Sequence, residues 1–242
     1  MTVNTHSLDF ERGSSQYAHA ADSASLSITA DITLEADIKL ESLPSVAGTS
    51  FCILGKWYEG DDKQSYMFSI DTTNKLRLYI SADGTYNNYA NWQSTTTISI
   101  ATWTHIAVTL DISAGTTVFY IGATVEAGTN IDSAGTYTSI EDNTSSFAIG
   151  AYNTQGTPYW YFDGLIDNPR IWNDIRSGTE IINNKFKELV GDEAGLAAYW
   201  KLNNSGLDET ANNNDLTLVN TPVYSTDVPF TGKDTGKFFL VL

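Results

Sequence analysis

The chain has 242 residues, enough for one large β-domain or two small domains that bury a core without covalent cross-links. Its 29 acidic and 13 basic residues give a net charge of −16, which argues against nucleic-acid binding because a polyanion would be repelled. The single cysteine, Cys52, excludes an internal disulfide, and no apolar run reaches the length of about 18 residues that membrane insertion needs.

Short runs that alternate apolar and polar residues follow one another along the chain, and such runs predict β-strands. The first long run places Ile32, Leu34, Ala36, Ile38 and Leu40 on one strand face. Later runs lie at residues 66–70, 76–80, 106–110, 118–121, 147–149, 165–172, 195–202 and 214–220. Turn signals separate them, and strand–helix–strand alternation is missing. The pattern therefore predicts an all-β fold in which two antiparallel sheets form a jelly-roll β-sandwich.

One segment late in the chain has helical spacing. Ser177 is followed three residues later by Glu180, the pattern of an N-terminal capping box. Ile182, Phe186 and Leu189 then recur at helical intervals. The sequence therefore predicts one short helix that lies against the sandwich.

The end of the chain is unusually apolar, since residues 237–242 read KFFLVL. We expect one sandwich domain over residues 1–230 and a C-terminal tail or added strand over residues 231–242. The same ending leaves open a purely structural function, as an oligomerisation module of a surface or phage-type assembly.

Three sequence blocks occur in a recognisable order and spacing. SLDFERGSSQY at residues 7–17 leads into the long alternating strand, WTHIAVTLDISAGTTVFYIG follows at residues 103–122, and YFDGLIDNPRIWN follows at residues 161–173. Together they resemble the laminin-G-like domains of the concanavalin A-like lectin/glucanase superfamily. The resemblance covers about residues 6–230. It implies a jelly-roll sandwich, as the alternation does.

Two carboxylates raise the question of catalysis. Glu35 and Asp37 share one face of the first long strand, and the glucanase branch of the superfamily carries acidic residues at this spacing. A glycoside hydrolase or lyase that uses Glu35 and Asp37 is therefore one alternative. However, Lys39 stands where a third acid would be, and the pattern favours a solvated strand face with Glu–Lys complementarity. His105 is interpreted as a framework histidine, so we predict no enzyme.

Aromatic side chains in the predicted loops are candidates for sugar binding. Rings stack on the apolar face of a sugar, while Asn and Gln side chains orient its hydroxyls. The candidate ligand-binding residues are Trp57, Tyr58, Tyr86, Tyr89, Trp92, Tyr152, Tyr159 and Trp160. Trp103, Trp172 and Trp200 fall inside strand motifs and are assigned to packing. The favoured prediction is a non-catalytic carbohydrate-binding or adhesion module that recognises a glycan or a surface partner through its loops.

The resemblance also implies one structural calcium ion. Superfamily members often bind calcium where the end of the first strand meets the FDG-x-ID segment. Here that position would recruit Glu11, the backbone near Gly13, and Asp167, which offer the oxygen ligands that calcium prefers. The alternative is that Asp167 caps a turn and contacts Arg170.

The expected partner is a glycan or cell-surface glycoconjugate, with the oligomeric state left open. The first ten residues have neither a basic nor an apolar signal region. We therefore expect an extracellular, surface-associated or virion-associated location without a visible signal peptide.

Overall fold

Extended segments dominate the chain, as its many β-branched and aromatic residues favour. The computed structural model describes residues 3–154 and 156–231, with residue 154 described by its backbone alone. Apart from Thr231, the predicted tail or added strand at residues 231–242 lies outside the described residues.

The strands are numbered in chain order. They are β1 (Ser7–Phe10), β2 (Tyr17–Ala20), β3 (Ile32–Leu40), β4 (Phe51–Tyr58), β5 (Lys63–Ile70), β6 (Lys75–Ser81), β7 (Tyr89–Thr97), β8 (Thr104–Asp111), β9 (Thr116–Ile121), β10 (Thr124–Ala127), β11 (Thr129–Ala134), β12 (Phe147–Ile149), β13 (Tyr152–Thr154), β14 (Thr157–Tyr159), β15 (Gly164–Trp172), β16 (Leu196–Tyr199), β17 (Thr217–Val219) and β18 (Val223–Ser225).

These strands form two sheets. Sheet A has the order β10-β9-β8-β3-β15-β1-β18, with β16 also paired to β15. Sheet B has the order β11-β7-β6-β5-β4-β12-β2-β17, and the β13–β14 hairpin joins it beside β4. The strand pairs are antiparallel, except that β13 meets β4 in parallel where Asn153 lies opposite Tyr58. The predicted all-β, two-sheet antiparallel sandwich is confirmed.

The hydrophobic core lies between the two sheets. The apolar residues of β3, from Ile32 to Leu40 in steps of two, are fully buried there, as their alternation predicts. Trp200 stacks on Phe147 in the same core, with ring centroids 5.2 Å apart. Trp172 is buried too, whereas Trp103 is only partly buried and donates a 2.8 Å hydrogen bond from Nε1 to Asp227. The packing assignment is thus correct for two of the three tryptophans.

Besides the strands, the described residues form two short helices and one 3-10 turn. They are α1 (Pro44–Ala47), α2 (Gly178–Asn184) and the turn Arg12–Ser14. Of the helices in the described residues, none has the length and apolar character needed to cross a membrane.

Helix α2 begins as the sequence predicts and ends earlier. Ser177 Oγ accepts a bond from the Glu180 backbone N–H, and the Glu180 carboxylate accepts one from the Ser177 N–H, so the capping box is present. However, Ile181 is the buried helix residue, while Ile182 is 40% exposed. The helical spacing fails because the chain leaves the helix after Asn184, and Phe186 adopts a left-handed φ of 53°.

Candidate functional site

The face of sheet B that points away from the core carries an apolar cluster of its own. In β4, Trp57 points outward, while Phe51 and Leu54 belong to the core. The same alternation in β6 turns Tyr79 outward between Leu78 and Ile80. Cys52, Met67 and Tyr152 join Trp57 in this outer cluster, with Tyr79 and Trp160 packed against it.

Contacts between rings extend this cluster into a continuous chain. The ring-centroid distances are 5.0 Å for Tyr152–Trp160, 5.5 Å for Tyr86–Tyr89, 6.0 Å for Trp57–Tyr79, 6.1 Å for Trp57–Tyr86 and Tyr79–Trp160, and 6.2 Å for Tyr152–Tyr159. We call these seven residues the aromatic cluster. The structure therefore brings together six of the eight predicted binding residues. The linking residue, Tyr79, was missed, although its position between two core residues of β6 could have shown that it faces outward.

The rings of the aromatic cluster differ in their access to solvent. Tyr86 and Tyr159 are 49% and 52% exposed and stand at the rim. Trp57 and Tyr152 are buried beneath them and support the others. Trp92 is 1% exposed and packs in the main core against Tyr137, with centroids 5.7 Å apart. Its assignment to a ligand site is therefore wrong.

A groove of about 190 Å³ opens beside the aromatic cluster. Its walls include the aromatic rings of Tyr17, Trp57, Tyr58 and Tyr152. The polar side chains on its lining are His19, Ser145, Ser146 and Asn153. Residues 17 and 19 reach it because their neighbours in β2, Ala18 and Ala20, are buried in the core. Among the predicted binding residues, Tyr58 thus lies in the groove without joining the ring contacts.

Glu59 ties the hairpin to the rim of the aromatic cluster. Its Oε1 accepts hydrogen bonds from Tyr86 Oη at 2.6 Å and from Tyr152 Oη at 3.3 Å. Its backbone N–H donates to the Asn153 carbonyl at 3.1 Å. Burial, followed by the nearby Glu59 carboxylate, raises the pKa of both tyrosines. Both phenols therefore stay protonated and donate at neutral pH.

A group of polar residues lies on the outer face of sheet A. Glu35 and Asp37 are 1% and 0% exposed, so the predicted solvated strand face is wrong. His105 lies between them: Nδ1 is 2.7 Å from Asp37 Oδ1, and Nε2 is 3.1 Å from Glu35 Oε2. Trp172 Nε1 donates to Glu35 Oε1 at 2.6 Å. We call this the buried network.

Residues 178–190, named here the covering segment, hide the buried network from solvent. Ile181 packs against Ala107 and Tyr120, and the Phe186 ring lies 6.2 Å from the His105 ring. The guanidinium of Arg170 reaches up from β15 and donates to the backbone carbonyls of residues 184 and 187. Arg170 Nη1 also lies 3.6 Å from Glu35 Oε2. The sequence could not show this cover, because it depends on a contact between distant segments.

Charge complementarity sets the protonation of the buried network. Burial alone raises the pKa of Glu35, but the hydrogen bond from His105 and the charge of Arg170 outweigh burial and lower it. Burial likewise lowers the pKa of His105, but Asp37 and Glu35 outweigh it and raise it. The two carboxyl groups therefore favour the protonated form of the imidazole between them. A polysaccharide could not reach either carboxyl group in this structure.

Asp167 borders the buried network. Its carboxyl accepts bonds from Asn4 Nδ2 at 2.7 Å and from the Asn168 backbone N–H at 2.9 Å. Burial, and then the proximity of Asp37, raise the pKa of Asp167 well above its usual range. Its polar contacts are thus with Asn4 and Asn168, while Arg170 binds the covering segment.

Glu11 lies elsewhere, at the end of β1. Its carboxylate oxygen and those of Asp9 and Glu41 all lie within 4.8 Å of one another. The 3-10 turn that contains Gly13 follows directly. Asp167 lies three positions along β15 from Gly164, the partner of Phe10, which places it about 10 Å further along the strand. The structure therefore keeps Glu11 near Gly13 but separates both from Asp167. Asp9 and Glu41 were missed, because only the strand register brings them together.

Comparison with known proteins settles the family. A laminin-G family model of the concanavalin A-like lectin/glucanases superfamily matches residues 12–182. The chain belongs to the concanavalin A-like lectin/glucanases superfamily. No curated protein sequence matches the chain.

Solved structures share the superfamily fold at low sequence identity. A candidate carbohydrate-binding protein from Bacteroides ovatus has a TM-score of 0.64 and 20% identity, over 92% of this chain and 62% of that one. The chain thus spans about three fifths of that protein's length. The CBM40 of a Ruminococcus gnavus IT-sialidase, bound to α2,3-sialyllactose, has a TM-score of 0.53 and 13% identity, over 73% and 95%. A heptameric SAP-like pentraxin from Limulus polyphemus has a TM-score of 0.53 and 12% identity, over 75% and 82%.

The superfamily match has a clear extent within the structure. Residues 12–182 include every residue of the aromatic cluster and every lining residue of the groove named above. Strands β16, β17 and β18 lie beyond it. These strands still complete both sheets of this superfamily member, β16 and β18 in sheet A and β17 in sheet B.

Proposed function

We propose that the chain is a non-catalytic carbohydrate-binding module that holds a glycan in the groove beside the aromatic cluster. The observation that carries the proposal is that aromatic walls and polar side chains line one open groove. Ring faces cover the apolar side of a sugar, and a few hydroxyl, amide and imidazole groups orient its hydroxyls. Tyr17 and Tyr58, both partly exposed, offer the faces, while Asn153 and His19 offer the polar contacts.

The structural neighbours support this proposal. One is described as a candidate carbohydrate-binding protein, and another is a carbohydrate-binding module solved with an oligosaccharide. Both share only the fold with this chain, so neither identifies its glycan.

The alternative, a glycoside hydrolase or lyase, has weaker support. Retaining chemistry needs two carboxyl groups that reach the same glycosidic bond. Glu35 and Asp37 instead bind the two nitrogens of one buried imidazole beneath the covering segment. We therefore assign these residues to structure.

A glycan array tests the proposal. The wild type should bind at least one glycan, and Tyr58→Ala should weaken that binding about tenfold, the effect of losing one ring contact. Tyr89→Ala is the matched control, because Tyr89 belongs to the aromatic cluster but does not line the groove. Thermal unfolding of wild type and both variants checks that each protein is folded. Absence of any bound glycan, or equal losses in both variants, would contradict the proposal.

We extend the proposal to a structural calcium ion at Asp9, Glu11 and Glu41. Three carboxylates within 4.8 Å of one another suit a hard cation with oxygen ligands. Burial, followed by Glu11, raises the pKa of Asp9. Burial, followed by Asp9 and Glu11, raises the pKa of Glu41. A cation would therefore relieve repulsion between these carboxylates. A glycan partner is met outside the cell, so the proposal carries with it an extracellular, surface-associated or virion-associated location.

A further inference from the structure

The groove has few ionisable groups on its lining. Its described lining residues carry aromatic, hydroxyl, amide, imidazole and small apolar side chains, but no Lys, Arg, Asp or Glu. A sugar acid carries a carboxylate at neutral pH, and a carboxylate removed from water needs a cationic or strongly donating partner. We infer that the groove takes an uncharged sugar residue and rejects sugar acids such as sialic acid or a uronate. This inference rests on the proposed function of the groove.

Two cations of sheet B, Lys56 and Arg77, are committed to other contacts. Lys56 Nζ is fully buried and binds Asp22 at 2.7 Å, together with Ser27 and a backbone carbonyl. Arg77 lies over the Tyr79 ring at 4.9 Å and donates to Asn91. Neither side chain lines the groove. An incoming carboxylate would therefore have to break an existing contact to gain Lys56 or Arg77 as a partner.

The charge around the groove also disfavours an anion. Lys63 lies opposite Tyr58 at the start of β5, but the turn before it carries Asp61 and Asp62. Glu59 binds the Tyr152 hydroxyl at the edge of the groove. The whole chain has a net charge of −16. Repulsion from these carboxylates lowers both the association rate and the affinity for an acidic sugar.

The size of the groove limits what it holds. About 190 Å³ is below the roughly 300–1,000 Å³ of sites for drug-sized ligands. One sugar ring therefore occupies the groove, and the rest of the glycan extends into solvent. The sign of charge on that single ring decides recognition.

An array of matched glycan pairs tests the inference. Each neutral oligosaccharide is printed beside its sialylated or uronic-acid counterpart, and both are probed at neutral pH. We expect signals at least tenfold higher on the neutral members. Stronger binding to the acidic members would overturn the inference while leaving glycan binding intact. Absence of binding to either member would overturn both the proposed function and this inference.

A gain-of-charge variant gives an independent readout. Ala148 lies in β12, which pairs with β2 on one side and β4 on the other. Its side chain lines the groove and points away from the core. Ala148→Lys places an ammonium group in the groove and should raise binding to the acidic members at least tenfold. Ala148→Gln is the matched control, because it adds a side chain of similar length without the charge, and it should give no rise in binding to the acidic members. Identical profiles for the two variants, with unfolding temperatures near that of wild type, would refute the inference.

Discussion

The guanidinium of Arg170 should be among the most costly side chains to remove. Arg170 is fully buried, and it bridges the Glu35 carboxylate and the backbone carbonyls of residues 184 and 187. Arg170→Met keeps most of the volume but leaves the two carbonyls without their guanidinium donor and Glu35 without its nearby cation. Breaking a buried pair by removing one partner costs about 3–5 kcal/mol. We expect the free energy of unfolding to fall by that amount.

Urea denaturation followed by tryptophan fluorescence measures this loss. Arg176→Met is the matched control, because Arg176 makes ion pairs with Asp174 and Glu180, whose side chains are 44% and 42% exposed. Exposed pairs contribute about 0–1 kcal/mol, so the control should lose about 1 kcal/mol. Arg170→Lys should fall between the two, since it keeps the charge but not the planar fork of donors.

The reasoning fails if Arg170→Met loses no more than Arg176→Met. That result would mean that the covering segment is held by apolar contacts alone, through Ile181, Phe186 and Leu189. Unequal losses in the expected order would instead show that buried polar contacts fix this segment on sheet A.

Two further predictions concern other charged groups. The pKa of Asp167 is raised in the folded state, so its protonated form stabilises the fold below the unfolded pKa near 3.8, and that stabilisation is lost as the pH rises through the folded pKa. Asp167→Asn should therefore be more stable than wild type at neutral pH, by about 1 kcal/mol if the amide also donates to Asn4. Urea titrations at about pH 5 and pH 8 measure the free energy of unfolding of both proteins. The prediction is contradicted if the stability of wild type relative to the variant increases with pH. For the proposed cation site, calcium should raise the unfolding temperature of wild type, chelator should reverse the rise, and Glu41→Gln should abolish it. An unfolding temperature of wild type that ignores both additions would remove the site.

The fold could be predicted from local patterns, because side chains alternate between the two faces of a strand and the apolar residues of the sequence alternate with the same period of two. The apolar positions of β3 predict its buried face correctly, and the capping box at Ser177 predicts the start of α2. The polar face of β3 could not be predicted. Whether Glu35 and Asp37 meet water depends on the covering segment, which lies about 140 residues later in the chain. Local pattern does not contain that contact.

The candidate site was predicted in part, for the same reason. Residues 83–93 look like one loop rich in aromatic residues, but Tyr89–Thr97 form strand β7. Tyr89 and Trp92 are three positions apart in a strand and therefore face opposite sides. Trp92 enters the core, and Tyr89 joins the aromatic cluster. The groove itself needs β2, β12, β4 and the β13–β14 hairpin side by side, which only the sheet order supplies.

Cys52 gives this molecule a built-in reporter. The thiol is buried among Trp57, Met67 and Tyr152, and burial raises its pKa. Its backbone N–H donates to the carbonyl of Trp160, just after the hairpin, at 2.7 Å. A thiol reagent can therefore modify Cys52 only when the hairpin moves away from the sheet, and the labelling rate measures how often this local opening occurs. An oligosaccharide that bridged the hairpin and the sheet would lower the labelling rate of Cys52, so binding could be followed with an unlabelled sugar.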